Sequence, residues 1–365
     1  ATTALPLETV RRARAAGFKP VPTGIEHGTI TVVVAGTPFE VTTLRRDVET
    51  DGRHAVVAFG RDFRQDALRR DFTINALGLD AAGALHDYAG GLGDLAGRRV
   101  RFIGQARDRI AEDYLRILRF FRFHARYGAG EPDKGALEAC TAGRAGLEGL
   151  SRERVRAELL KLLVAPRAAA TLRVMAGAGL LMPVLGSVPL LSRFAAIAGD
   201  GEEGGDRVHP AFRLAALTVA TREDAARLRE RLRLSNAEFE RIEAIALALE
   251  ALSGREELPG LAELRETAHR VGTDAVAAGL VLLNAVADKA RAAEVRELIA
   301  GLGRTPHFLP SGRDVMALGA AAGPLVGKVL EQARRDWIAA GCPAGRDEQM
   351  GLVARAAALD GISST

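Results

Sequence analysis

Apolar positions alternate or cluster in short runs near the start of the chain and fall at helical spacing after about Ala106. Residues 7–16 have amphipathic helical spacing and stop at Gly17, which predicts a short helix. Residues 28–35 and 39–44 are rich in β-branched side chains and flank Gly36-Thr37-Pro38, so a β-hairpin turning on those three residues is expected. Residues 45–65 are mostly polar, carry an Asp51-Gly52 turn signal and read as a mobile loop with one strand near residues 55–59. Strand-like pieces follow at residues 74–79, 84–88 and 100–103, with Gly90-Gly91 breaking the chain between the last two. Beyond them Ala, Leu, Arg and Glu dominate, punctuated by Gly128, Gly130, Pro132 and Pro166. The Gly-rich acidic stretch at residues 199–205 is the expected interdomain linker. The predicted fold class is therefore α+β, a head with a small mixed β-sheet followed by an all-helical remainder without a solenoid period.

At 365 residues the chain exceeds the roughly 250 to 300 residues at which single cores stop growing, so several domains are expected. A hydrophobic fraction of 48%, mean hydropathy of +0.04 and no apolar run near the roughly 18 residues of a membrane span point to a globular cytoplasmic protein with no membrane partner. Cys140 and Cys342 are too few and too far apart for a disulfide framework or zinc cluster, and read as inert thiols. A formal charge of +4 is only weak support for a polyanionic partner, so the distribution of charge matters more than its sum.

Three segments carry chemistry. In Arg69-Arg70-Asp71-Phe72-Thr73-Ile74-Asn75-Ala76, two guanidinium groups and a carboxylate precede an apolar stretch, which suits a ribose and its phosphates; a structural ion pair between Arg70 and Asp71 is the plainer alternative. In Glu112-Asp113-Tyr114-Leu115-Arg116, Asp113 and Arg116 are three apart, and on one helix would share a face. A carboxylate accepts from the exocyclic amine of C or A while the neighbouring guanidinium donates to the ring, whereas U and G place a carbonyl where the amine should be. The alternative is an ordinary surface salt bridge worth about 0.2 to 0.5 kcal/mol. The charged stretch from Asp47 through Asp51, Arg53 and His54 is centred on Gly52 and free of large apolar residues except Val48, as a moving loop would be, or a solvated charge run.

The first of these strings resembles the ribose-binding motif of the class II tRNA nucleotidyltransferases, or CCA-adding enzymes, and bacterial poly(A) polymerases; the second resembles their base-reading element. The resemblance covers nearly the whole chain and implies a nucleotidyltransferase head at residues 1–97, a helical neck at 98–165, a body at 166–255 and a tRNA-binding tail at 256–365. It implies template-independent addition of C and A from CTP and ATP to the 3′ end of tRNA, with Mg2+ as cofactor, and leaves a homodimer open. Nucleotide-binding roles fall on Arg70, Asp71, Asn75, Glu112, Asp113, Arg116 and Arg119. Arg154, in the string Ser151-Arg152-Glu153-Arg154 that resembles a later neck motif, is expected to brace the pocket. Residues 47–55 resemble the flexible loop, residues 87–95 a head-to-neck hinge, and Arg313 and Lys328 stand in the part that would grip tRNA. Glu40 is the candidate third metal-binding carboxylate and catalytic residue, against a strand glutamate facing water. The family's Asp-x-Asp pair is expected ahead of Ala1-Thr2-Thr3, so the chain as given is expected to be inactive unless that segment is supplied. Poly(A) polymerase and a noncatalytic tRNA-binding protein are the rival readings.

Overall fold

The computed structural model describes residues 1–50, 55–198, 209–304 and 306–362, and side chains outside 46–57. Two compact units emerge, Ala1–Val184 and Leu185–Thr365. The first contains both the expected head and the expected neck, so the boundary expected at residue 165 lies within it. Arg167 N–H donates to Ala125 O at 3.0 Å and ties the two sides of that boundary together.

The first unit opens with α1 (Pro6–Ala15), started by Pro6 and held on its outer face by Glu8 pairing with Arg11 and Arg12. Its inner face packs Ala13 against Ile30 and Val32 of a sheet ordered β1-β2-β3, with β1 Lys19–Val21, β2 Thr29–Val34 and β3 Thr37–Thr42. All three strands pair antiparallel; the parallel element of the expected mixed sheet is one isolated bridge, Thr2 to Thr43. The hairpin turns on Ala35 and Gly36, both at positive φ, rather than on Gly36-Thr37-Pro38, because a two-residue loop of that hand matches the strand twist. Thr37 and Pro38 instead belong to β3, an edge strand, where a residue without N–H is tolerated.

The polar stretch after β3 is more ordered than expected. β4 (Arg45–Thr50) and β5 (Ala55–Phe59) form a second antiparallel ladder, followed by α2 (Phe63–Leu68), whose N-terminus is capped by Asp62. Asp47 lies on β4, while Asp51, Arg53 and His54 fall outside the described residues, as does the expected linker at 199–205. The strand expected at residues 74–79 shortens to β6 (Leu77–Leu79) after a 3-10 turn at Thr73–Asn75, and pairs with β7 (Leu85–Asp87). Residues 100–103 form no strand, only the bridge Phe72 to Phe102.

The stretch expected to act as a hinge is tied down. Asp87 accepts from the N–H groups of Ala89, Gly91 and Leu92, and starts α3 (Gly91–Ala96). Asp94 is fully buried and accepts from Thr73 Oγ1 at 2.7 Å and Arg101 Nε at 2.8 Å. A side chain at Gly91 would sit 2.1 Å from Thr73 O, so the glycine here serves close packing rather than motion.

Helices α4 (Ala106–Glu112), α5 (Leu115–Tyr127), α6 (Lys134–Ala142), α7 (Arg152–Leu163) and α8 (Ala168–Gly177) follow, with α9 (Leu181–Leu185) at the boundary. α5 buries Leu115, Ile117, Leu118, Phe120, Phe121 and Phe123, and its aromatic side joins Phe72 and Phe102 in one cluster with ring centroids 4.8 to 6.3 Å apart. His124, also buried, is held by desolvation and the nearby Arg167 charge at about 4, well under its ordinary 6.5. Because the folded-state value is the lower one, the unfolded chain takes the proton first as pH falls, and stability drops from pH 6.5 to about 4. By linkage this amounts to about 3 kcal/mol. Urea denaturation of His124→Phe across that window should give a flatter profile than the parent; an unchanged slope would assign the pH dependence elsewhere.

The second unit is helical throughout its described residues, from α10 (Leu191–Ala198) through α11 (Pro210–Thr218), α12 (Arg222–Leu232), α13 (Asn236–Leu252), α14 (Leu261–Val271), α15 (Thr273–Leu283), α16 (Lys289–Leu302), α17 (Gly312–Ala317) and α18 (Pro324–Ala339) to α19 (Arg346–Leu359). One core gathers Leu252, Leu264, Val276, Leu280, Val295 and Leu302; another gathers Val315, Val329, Ala333, Val353 and Ala356. Cys140 and Cys342 are both buried, and burial pushes both thiols up, in keeping with inert side chains. No described helix is long and apolar enough to cross a membrane.

Candidate functional site

The two strongest motifs, some forty positions apart in sequence, meet in the first unit. Residues 69–76 leave α2 and make the 3-10 turn, which points Asp71 inward. Its Oδ1 accepts from Phe72 N–H at 3.0 Å and Asn75 Nδ2 at 2.9 Å, and its Oδ2 accepts from Arg119 Nε at 2.6 Å. Burial alone would raise this carboxyl; the Arg119 charge and the three donors outweigh it and hold it below the usual range. The Arg70–Asp71 ion pair weighed from sequence does not form. Arg70 reaches Asp66 at 3.2 Å and Asn75 O at 3.3 Å, leaving its side chain 44% exposed, and Arg69 also binds Asp66. Asp66 would be raised by burial but is lowered by Arg69, the Arg45 N–H and Arg70.

Around the second motif the structure corrects the expected geometry. Asp113 and Arg116 do not share a helix face: Asp113 is the extended residue that ends α4, and α5 begins two residues later. The break comes from Asp113 itself, whose Oδ1 accepts the Leu115 N–H at 3.1 Å and whose carbonyl accepts the Arg116 N–H at 3.0 Å, local bonds that compete with a continuous helix. Nor do the two side chains pair. Asp113 Oδ2 takes a bond from Arg154 on α7 at 2.5 Å, while Arg116 binds Glu112 and donates to Arg109 O at 2.7 Å. Ser151 caps α7 and so fixes where Arg154 starts from.

Arg109, which stands outside both motif strings, is the joint between them. Its Nη2 donates to the backbone carbonyls of Arg69 and of Arg70, the latter at 2.8 Å, and its Nη1 donates to Glu112 at 2.6 and 2.8 Å. Its place three residues before Glu112 on a predicted helix was the available signal. Glu158, in the stretch that resembles the family's later neck motif, is a buried carboxylate on α7 that receives Arg122 at 2.5 Å and Arg119 at 3.7 Å.

The remaining predicted residues stand apart from this cluster. Glu40 is exposed on β3 opposite Thr31. Among the described residues no group of three or more His, Cys, Asp or Glu side chains is placed to hold a metal ion, so these residues do not by themselves make a divalent-ion site. In the second unit Arg313 is exposed on α17, and Lys328 on α18 pairs with Asp360 at 2.6 Å.

The family described as Poly A polymerase head domain matches residues 1–101, and the one described as a probable RNA and SrmB-binding site of polymerase A matches residues 131–193. The mouse protein "CCA tRNA nucleotidyltransferase 1, mitochondrial" is 34% identical over 365 residues, covering 97% of this chain and 81% of the relative. The chain belongs to the CCA tRNA nucleotidyltransferase family. Among solved structures of CCA-adding enzymes, that from Bacillus stearothermophilus in complex with CTP superposes with a TM-score of 0.72 at 26% identity, over 98% of this chain and 88% of that one. The Thermotoga maritima enzyme complexed with tRNA, at 19% identity and a TM-score of 0.61 over 96% and 84%, shares the fold. For a CCA tRNA nucleotidyltransferase the head-to-neck junction held by Arg109 joins the segments that resemble the sugar-reading and base-reading motifs.

Proposed function

We propose that this chain selects the nucleotide in the addition of C and A, from CTP and ATP, to the 3′ end of tRNA. The observation that supports this is the Arg109 joint, one guanidinium that binds both the Arg70 carbonyl and Glu112 and so brings the sugar-reading and base-reading strings together. In this reading Arg70 meets the sugar and its phosphates, and Asp71 with Asn75 shapes the turn beneath them. Asp113 and Arg116 face the base edge, held by Arg154 and Glu112 respectively, and Arg119 holds Asp71. The loop residues Asp47, Asp51, Arg53 and His54 would assist the change from C to A, and Arg313 and Lys328 would contact tRNA. Dependence on Mg2+, with Glu40 as one ligand, belongs to the proposal through family membership and sequence rather than through a cluster of carboxylates. A cytoplasmic location belongs to it on composition alone.

The test is incorporation: the protein, alone and with the family's Asp-x-Asp segment supplied, is given tRNA lacking its 3′ end, with labelled CTP and ATP separately and together, and Mg2+ titrated against EDTA. Addition of two C and one A supports the reading. Long A tails on unrelated RNA would make it a poly(A) polymerase, and salt-sensitive tRNA binding with no affinity for either nucleotide would make it a noncatalytic RNA-binding protein. Sedimentation of the same sample decides between monomer and homodimer.

A further inference from the structure

We infer that Glu158 is a positioning residue for recognition of the sugar, acting through Arg119 and Asp71; the inference rests on the nucleotide-binding reading above. Four charged groups alternate in sign across the packed face of α5: Asp71, Arg119, Glu158 and Arg122. Their contacts are 2.6 Å from Arg119 Nε to Asp71, 3.7 Å from Arg119 Nη1 to Glu158, and 2.5 Å from Arg122 Nε to Glu158. Both carboxylates are under a tenth exposed. The Arg122 guanidinium also lies 4.1 Å from the Phe123 ring centroid, which fixes its plane.

The geometry gives Glu158 a task that neither arginine can perform alone. Arg119 and Arg122 lie one turn apart on α5, and like charges at that spacing repel unless an anion stands between them. Glu158, supplied from α7, is that anion. It draws Arg119 Nη1 to one side while Arg119 Nε stays on Asp71, so the guanidinium is held at two edges. Asp71 in turn holds Asn75 and the Phe72 N–H, and Asn75 O receives Arg70, the exposed guanidinium offered to the sugar. Without the charge on Glu158, Arg119 can leave Asp71, the Asp71–Asn75 turn loosens, and Arg70 loses its fixed carbonyl partner. Asp113 takes Arg154 and Glu112 takes Arg116, whereas Glu158 takes Arg119 and Arg122. Sugar discrimination should therefore change while base discrimination persists.

The experiment is equilibrium binding of CTP, dCTP and UTP to the full chain and to Glu158→Gln, with Glu158→Asp as a second variant that keeps the charge and shortens its reach. The parent should prefer CTP to dCTP. In Glu158→Gln that preference should fall about tenfold, with the CTP-to-UTP ratio within about twofold of the parent and the Asp variant between the two. A tenfold change in ratio corresponds to about 1.4 kcal/mol. If the CTP-to-dCTP ratio stays at the parent value in the folded variant, or if both ratios fall together with thermal stability, Glu158 is only a packing residue and the inference is wrong. If Gln does not fold, the Asp variant alone decides by the same ratio. A parent that binds neither CTP nor ATP overturns the underlying function as well, a result distinct from a binding parent with an insensitive variant.

Discussion

Asp113→Ala is expected to weaken binding of both CTP and ATP by about 100-fold and to erase their advantage over UTP and GTP. Two consequences of the geometry combine. The carboxylate that would accept a base amine is gone, and a charge-assisted hydrogen bond of this kind is worth about 1.5 to 3 kcal/mol. The Arg154 guanidinium that Asp113 held at 2.5 Å also stays beside the vacated position, and a guanidinium there repels an amine. The same substitution removes the acceptor of the Leu115 N–H at the start of α5, a capping loss of about 1 kcal/mol, or roughly 2 to 4 °C for a unit of this size. Titration of each nucleotide beside a thermal scan separates the two. Losses of affinity and stability in the same proportion would mean that Asp113 only caps α5, and intact CTP binding would remove it from the base-reading role.

The largest effect on stability should come from Phe72→Ala. Phe72 is fully buried, with ring neighbours Phe102 at 4.8 Å and Phe123 at 5.3 Å, and it lies where the expected head and neck join. Truncating a core phenylalanine costs about 3 to 5 kcal/mol, because the aromatic walls cannot close the cavity. Two backbone bonds beside it, Thr73 N–H to Arg101 O and Ile103 N–H to Asp71 O, keep the walls apart. Urea denaturation should show the midpoint falling with little change of slope, and Phe72→Leu should recover most of the loss. A cost under about 1 kcal/mol would show that the junction does not depend on this cluster.

Sequence pattern reached the parts of the fold in which local signals and burial agree. α1 and the strands β2 and β3 follow from periodicity, since Ile30 and Val32 face the core at every second position. The hairpin turn was misplaced because Pro38 reads as a turn residue, and only the edge position of β3, a tertiary fact, makes it acceptable in a strand. Of the β4–β5 ladder the sequence shows β5, the strand expected near residues 55–59, but not β4, which is largely charged and is defined by pairing rather than apolar content.

The site shows the same division. The residues expected to touch a nucleotide lie in one region, but their partners had to come from the structure. Asp113 pairs with Arg154, 41 positions away, and Asp71 with Arg119, 48 positions away, distances at which spacing within a helix says nothing. The break between α4 and α5 carries neither glycine nor proline. A single aspartate bonding to the N–H two residues ahead was its only mark, and the residue type alone does not tell that bond from an aspartate facing solvent on a helix.

Arg109 grips main-chain carbonyls at positions 69 and 70, not side chains. The tie between the two motifs is consequently indifferent to which amino acids occupy those positions. Replacements there can retune charge and reach while the motifs stay joined, so on the proposed reading nucleotide preference can drift without undoing the architecture that presents it.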